Sequence, residues 1–528
     1  MDGACLRYTE LPGTSRLFAD YLYDFGKVSQ FYRHAPRKAE SFKASVASLH
    51  DYPESRREAI VAALRKINPG SANLDKLAQP GTVAVVTGQQ VGLFTGPAYT
   101  IFKAVTAAAV ARQLSEDGIP AVPVFWLATE DHDFPEVASA HIFDHEAGIH
   151  TLKVWTSGAP DRPVGGIVPE DGYPLGELEQ VLAGFPHSAE VMQMLREAHT
   201  ANPTMGGAFR HTLQHLLHSL DLVFIDPLDP AIRVIGAPLI RDAIEQHDVL
   251  HKRLLERNRE LAAAGYHAQV HVEAENSLFF TLEGGRRIAL KLRPDGVYAT
   301  KERTYSTEQL AAHAETISPN AILRPVLQDF LLPTVAYVGG PAELAYLAQS
   351  EVAYTELLGR MPVMLPRNGF TLLSARTQKL LDRYGFTLPA ALIREEELRA
   401  IVAAKLLPDT LHDLFAQSGQ ELREVLDRIN SRLQDFDPSL AKALNKSRAK
   451  MTHQLSKIQE KTAREALRRD QRASAEAFHL SNMLFPEEHL QERFFSILPF
   501  VAQYGTGIID HIVQHSCIDC VDHHVLPV

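Results

Sequence analysis

The chain has 528 residues, with 53 Lys and Arg against 64 Asp and Glu, giving a formal net charge of −11 at pH 7. Hydrophobic residues make up 45% and charged residues 22%, which excludes a disordered chain, a collagen-like repeat and a disulfide scaffold. The acidic balance argues against a nucleic-acid partner, because phosphate contacts need clustered Lys and Arg. No run of ~20 apolar residues occurs, so no membrane span is expected. Three cysteines, Cys5, Cys517 and Cys520, and a start without a basic-then-apolar leader are read as cytoplasmic. The length predicts about three or four structural units.

The first ~80 residues read as helices broken by Pro and Gly. Thr82 to Val86 is a short β-branched run of the kind buried on both faces of a sheet. It ends in a glycine-rich turn, TGQQVGLFTGP (87–97), and residues 98–115 form a helix with Pro97 near its start. Ala121 to Leu127 is a second buried strand, running into Glu130-Asp131-His132-Asp133. This order is a βαβ unit. Leu222 to Ile225 reads as a further strand, followed by one long helix over roughly 231–263. Residues 268–273 and 277–292 read as short antiparallel strands with a turn at Gly284-Gly285, an insertion into the βα alternation. Phe330 to Val338 reads as a strand ended by Gly339-Gly340-Pro341, with a helix over 342–358, and Pro362 to Pro366 as a last short strand. Between 370 and 504 glycine is scarce. Leu422, Val425, Leu426, Ile429 and Leu433 form one stripe; Leu440, Leu444, Met451, Leu455 and Ile458 form another, with Asp435 to Ser439 between them. This predicts an antiparallel helical hairpin of coiled-coil type, its charged flanks solvated. The expected boundaries are a core over 1–370 with an insertion around 150–320, a helical arm over 371–480, and a segment 481–528 that returns to the core.

The glycine-rich turn is the first candidate site. Gly88, Gly92 and Gly96 let backbone approach a ligand, and the following helix start offers free N–H groups and a positive dipole end. Thr87, Gln89, Gln90, Thr95 and Thr100 add neutral hydrogen-bonding groups, and Lys103 is placed to reach the same ligand. The spacing is neither a Walker loop nor a dinucleotide fingerprint. Its place at the carboxyl end of a buried strand favours ligand binding over a plain turn. The acidic turn is the second. Glu130, Asp131, His132 and Asp133 are candidates for catalysis, with His132 a general base whose pKa the flanking acids raise; the alternative is a helix cap.

The segments TGQQVGLFTGPAYTIFK (87–103), PVFWLATEDHDFPEV (123–137), ISPNAILRPVLQDFLLPTVAYVGGPAELAYLAQ (317–349) and HLQERFF (489–495) resemble the BshC family, which is assigned the cysteine-adding step of bacillithiol biosynthesis. The resemblance is nearly full-length, and weaker at the N-terminal helices and the last dozen residues. It implies an α/β fold: a Rossmann-like core of nucleotidyltransferase type with inserted connecting segments, plus an antiparallel α-helical coiled-coil arm that makes a homodimer. It implies a ligase that joins cysteine to the glucosamine amine of glucosaminyl malate as an amide. A carboxylate does not acylate an amine unaided in water, so ATP or another nucleotide is the expected activating cosubstrate. The His-x-Gly-His and Lys-rich loop of adenylate-forming synthetases are not found.

Arg324, Gly339, Gly340, Glu343 and Tyr346 form a second strand-end turn. Glu343 and Tyr346 share a helix face, and Arg324 is suited to a bidentate grip on a malate carboxylate. Arg367 and Asn368 are weaker candidates. His511, His515, Cys517, Cys520, His523 and His524 have ligand-like spacing, but a second Cys pair is missing. No metal site is assigned; plain structure, a metal and a redox pair stay open there, and Cys5 is read as inert. Two other functions compete: a nucleotidyltransferase or aminoacyl-adenylate enzyme with another acceptor, and a non-catalytic ligand-binding coiled-coil dimer.

Overall fold

The computed structural model describes residues 4–158, 161–273, 275–293 and 296–528. They fall into two compact units. One runs to His145 and takes in Ile149–Leu372 and Glu492–Val528; the other comprises Glu146–Gly148 and Leu373–Gln491.

The centre of the first unit is a five-stranded sheet in the spatial order Val363–Pro366, Thr334–Gly339, Val83–Gln90, Ala121–Ala128, Val223–Ile225. All neighbouring pairs are parallel. The strands are near-continuous apolar runs because helices cover both faces and no face meets water. Helix Tyr99–Glu116 lays Ala107, Val110, Ala111 and Leu114 on Val83, Val85, Val335 and Val363. The strand order reverses between Val83–Gln90 and Thr334–Gly339. In such sheets the crevice at the carboxyl ends beside that reversal is where ligands bind.

Three sequence expectations differ from the structure. The helix over 231–263 is two helices, Pro230–Glu245 and His247–Ala263, separated at Gln246. The stretch Phe330 to Val338 divides into the end of helix Arg324–Leu331 and strand Thr334–Gly339; a short buried apolar run reads alike in either form. No strand forms over 268–273 among the described residues. There Gln349, fully buried, accepts from the Val270 amide and donates to its carbonyl, both at 2.8 Å. A side chain thus takes the bonds a neighbouring strand would make. The expected hairpin is present as Asn276–Glu283 and Arg286–Leu292, joined at Gly284 and Gly285, both with positive φ. Strand Ile317–Pro319 pairs with its first arm. The chain ends also meet: Ala4–Leu6 pairs antiparallel with His523–Pro527.

The second unit is helical. Its two longest helices, Asp409–Phe436 and Pro438–Arg469, turn at Asp437, whose carboxylate caps the second helix through the Ser439 amide at 2.7 Å. Asp427 pairs with Arg448, and Gly419 faces Leu455. The predicted stripes are only partly covered: Leu426 is buried, whereas Val425, Ile429, Leu440, Met451 and Ile458 are exposed, and Phe436 is 82% exposed. No helix among the described residues is long and apolar enough to cross a membrane.

Candidate functional site

A cleft of about 580 Å³ opens at the carboxyl ends of the core strands, at the order reversal. Gly88, Gln89 and Gln90 come from the first core strand, and Glu130, Asp131 and His132 from the turn after the second. Gly340, Glu343 and Tyr346 come from the helix start after Thr334–Gly339, and Arg324 from the helix preceding that strand. Loops some 250 residues apart in the chain therefore wall one space.

The acidic turn forms one part of the wall. The Gln90 side-chain amide donates to Asp131 at 2.5 Å and Glu136 at 3.0 Å, holding two carboxylates together. The His132 backbone amide donates to Asp131 Oδ1 at 2.8 Å. Arg287, from the inserted hairpin, donates to His132 Nδ1 at 2.9 Å, to Ser318 Oγ at 3.0 Å and to the Pro319 carbonyl at 2.8 Å. Its guanidinium lies 3.8 Å from the centre of the Phe280 ring. Ser318 Oγ in turn donates to Glu130 at 3.0 Å, and Glu130 is ion-paired with Arg233. Burial pushes the Glu130 carboxyl up, against the pull of Arg233 and Arg287.

These contacts correct two expectations. The His132 imidazole is held below its ordinary pKa, by burial first and by Arg287 second, which together outweigh Asp131 and Asp133. An Nδ1 that accepts from a guanidinium carries no proton, so the neutral ring presents Nε2–H, a donor rather than a base. Asp133 lies outside the cleft wall; its carboxylate accepts from the Glu136 amide as the cap of helix Phe134–Val137.

Another part of the wall is built around Tyr99. Lys103 Nζ is buried and donates to the Gly88 carbonyl at 2.8 Å and to Gln89 Oε1 at 2.9 Å, and it is ion-paired with Glu343. Glu343 also accepts from Tyr337 at 2.6 Å and from the Gly340 amide at 2.8 Å. Burial lowers the Lys103 pKa. Against burial, which would raise it, Lys103 and the Gly340 amide keep Glu343 ionised. Lys103 is therefore a brace joining two strand-end loops. Arg324 donates to the Tyr346 hydroxyl at 2.7 Å. Arg367 forms a buried two-pronged pair with Glu492 and reaches the cleft wall beside Tyr99. Arg493 stands exposed at the rim, 6.0 Å from the Tyr99 ring centre, and no ion pair of its own is found among the described residues. Trp126 also borders the cleft, and its buried indole N–H finds no acceptor among the described residues.

The glycine turn does something other than expected. A Cβ on Gly88 would stand 2.8 Å from the Trp126 carbonyl oxygen, so the absent side chain makes room for the neighbouring strand. Gly92 and Gly96 face each other, a Cβ on the first lying 2.9 Å from the second's Cα, and neither lines the cleft. Phe94 and Thr95 carry positive φ. Ser496 holds them there, donating to the Phe94 carbonyl at 2.8 Å and meeting Thr95 Oγ1 at 3.2 Å. Thr87, Thr100 and Gly339 also lie off the cleft wall. Thr87 donates to the Val338 carbonyl at 2.8 Å, Thr100 is fully buried, and the Gly339 carbonyl accepts from the Arg367 amide at 2.9 Å. Asn368 is buried beneath, bonded to Thr106 and the Cys517 carbonyl. Arg287, Arg493, Glu136 and Tyr99 are cleft residues that sequence reasoning did not single out. Tyr99, Glu136 and Arg493 lie within the segments that carry the family resemblance, whereas Arg287 lies in none of them.

A parallel sheet with reversed order and a charged crevice at the reversal defines a Rossmann-like ligand-binding domain. Comparison with known families agrees. Residues 1–368 match the model "Bacillithiol biosynthesis BshC, N-terminal Rossmann-like domain", and residues 370–528 match its "C-terminal coiled-coil domain". The chain belongs to the BshC family. A relative from Solibacter usitatus is 46% identical over 528 residues, covering 100% of both chains. One from Koribacter versatilis is 34% identical, covering 99% of both, and one from Salinibacter ruber is 30% identical, covering 97% of this chain and 96% of its own. All three bear the name "Putative cysteine ligase BshC".

Proposed function

We propose that the protein is a cysteine ligase of bacillithiol biosynthesis, which joins the cysteine carboxyl to the glucosamine amine of glucosaminyl malate as an amide. The observation that carries this reading is the polarity of the cleft at the strand ends. Asp131 and Glu136, drawn together by Gln90, suit an ammonium; Arg324, beside Tyr346, and Arg367 and Arg493, beside Tyr99, suit carboxylates or phosphates. An amide-forming site needs both, because it takes up an amine and an acid whose charges must be managed separately. ATP, as a substrate, supplies the activation of the cysteine carboxyl. Exposed Arg493 and the unpartnered indole N–H of Trp126 are features an additional polar ligand would satisfy.

In this reading the bound ammonium first gives one proton to bulk water, the free amine attacks the ATP-activated carboxyl, Asp131 takes the second proton from nitrogen, and the phosphate or AMP carried on the carboxyl leaves. Nitrogen becomes strongly acidic once the C–N bond forms, so a carboxylate is a sufficient acceptor. His132, with Nε2–H presented, donates to the carbonyl oxygen as negative charge develops there. Arg287 and Glu130 hold the imidazole in that tautomer and are positioning residues. Of the competing readings, a nucleotidyltransferase-type core is compatible with the fold, while a purely non-catalytic dimer leaves the bipolar cleft without a purpose. The exposed apolar residues of the antiparallel helical hairpin suit a homodimer contact, and a cytoplasmic reaction is our reading from the scarcity of cysteine in the chain.

The test is reconstitution. Purified protein is incubated with cysteine, glucosaminyl malate and magnesium ATP, with products followed by mass spectrometry and phosphorus NMR. Expected is the cysteinyl amide, formed in step with one equivalent of cleaved ATP. Unchanged ATP together with no amide would refute the reading.

A further inference from the structure

All three cysteines of the chain converge at one place, absent from the wall of the cleft. Strand Ala4–Leu6 pairs with His523–Pro527 so that Cys5 stands directly opposite His524. Opposed residues of an antiparallel pair project on the same face. Cys5 Sγ lies 3.7 Å from Cys520 Sγ and 3.8 Å from His524 Nδ1, and the three donor atoms are all within 4.8 Å of one another. Cys517 is three residues before Cys520, and the Cys520 amide donates to its sulfur at 3.3 Å, curling the Cys-x2-Cys loop around that sulfur. The loop's shape is set from outside as well: Arg37 donates to the Cys520 carbonyl at 2.9 Å and to that of Ile518. His524 is oriented by stacking on Phe370, with ring centres 4.9 Å apart.

We propose that Cys5, Cys517, Cys520 and His524 form a structural zinc site that ties the two ends of the chain together. The Cys5–Cys520 and Cys5–His524 separations are those of a tetrahedron's edges, and Cys517, three residues before Cys520, supplies the fourth ligand by turning its thiol inward. A zinc–sulfur bond of about 2.3 Å places two sulfurs about 3.8 Å apart, and a nitrogen ligand slightly closer. The donor set is the three-cysteine, one-histidine type of closed structural sites, with no open position for chemistry. Three thiolates and a neutral imidazole around a divalent ion carry one net negative charge, which Arg37 is placed to offset. Binding releases the thiol protons and consumes no oxidant. The proposal is independent of the ligase reading, because none of these residues lines the cleft.

The experiment is metal analysis of the full-length chain purified under reducing conditions without chelator, followed by cobalt(II) titration of the metal-stripped protein. Expected are one equivalent of zinc per chain and, with cobalt, a thiolate-to-metal charge-transfer band with the strong visible bands of a tetrahedral site. Cys5→Ser and Cys520→Ser should each weaken cobalt binding at least about tenfold. The unmodified protein alone decides the matter even if a variant folds poorly. A featureless cobalt titration, zinc retained undiminished in both variants, or isolation of the protein with Cys5 and Cys520 joined as a disulfide would overturn the proposal.

Discussion

Replacing Asp131 by asparagine should lower kcat for amide formation by about a hundredfold or more, the usual worth of a positioned general base. KM for the amine substrate should change much less. Asparagine keeps the shape and can still accept from the His132 amide, but it cannot take a proton. Asp131 is partly exposed, and its contacts are to Gln90, His132 and Arg287. The melting temperature should therefore move little, as expected for a change that opens no cavity and strands no buried charge. Steady-state kinetics beside thermal melts separates the roles. An unchanged kcat with a raised KM would make Asp131 an ammonium anchor and return the base role to another group.

The largest stability effect is expected at Arg367. Its guanidinium and the Glu492 carboxylate are both buried and bonded through two prongs, and Glu492 also accepts from the Phe370 amide at 2.9 Å. Burial alone would drive Glu492 toward the neutral form; Arg367 first and the Phe370 amide later in importance hold it ionised. Arg367→Met leaves that charge without its partner, a loss of about 3–5 kcal/mol by precedent for broken buried pairs. The double variant Arg367→Met with Glu492→Leu should recover much of this, because the stranded charge is gone. Melting and hydrogen exchange across strand Phe370–Leu373 would report it. A single variant as stable as the parent would show that the pair contributes nothing to the fold.

The sequence exposed the two strand-end turns because each breaks a β-branched apolar run with residues that packing does not call for. Gln90, Asp131 and Glu343 were legible for that reason. The functional reading of the glycines was less successful: Gly88 yields to Trp126 and Gly92 to Gly96, contacts between elements that spacing along one strand does not reveal. The sign of the His132 shift was misread for a similar reason. Its visible neighbours are Asp131 and Asp133, while the deciding cation, Arg287, comes from 155 residues away on an inserted hairpin. An arginine inside an alternating strand looks the same whether it faces water or a cleft. Cys5 read as inert because its partners lie 515 and 519 residues distant. The stretch Phe330 to Val338 belongs to a different class of miss, since a short apolar run has no period to show where helix Arg324–Leu331 ends and strand Thr334–Gly339 begins.

The account rests on one crevice taking both reactants, the amine at its carboxylates and the acids at its arginines. A crystal structure with glucosaminyl malate bound tests this most directly. The account predicts malate carboxylates against Arg324, Arg367 and Arg493, and the glucosamine nitrogen within hydrogen-bond reach of Asp131 or Glu136. The same ligand seated away from these strand ends, or with its amine among the arginines, would contradict it.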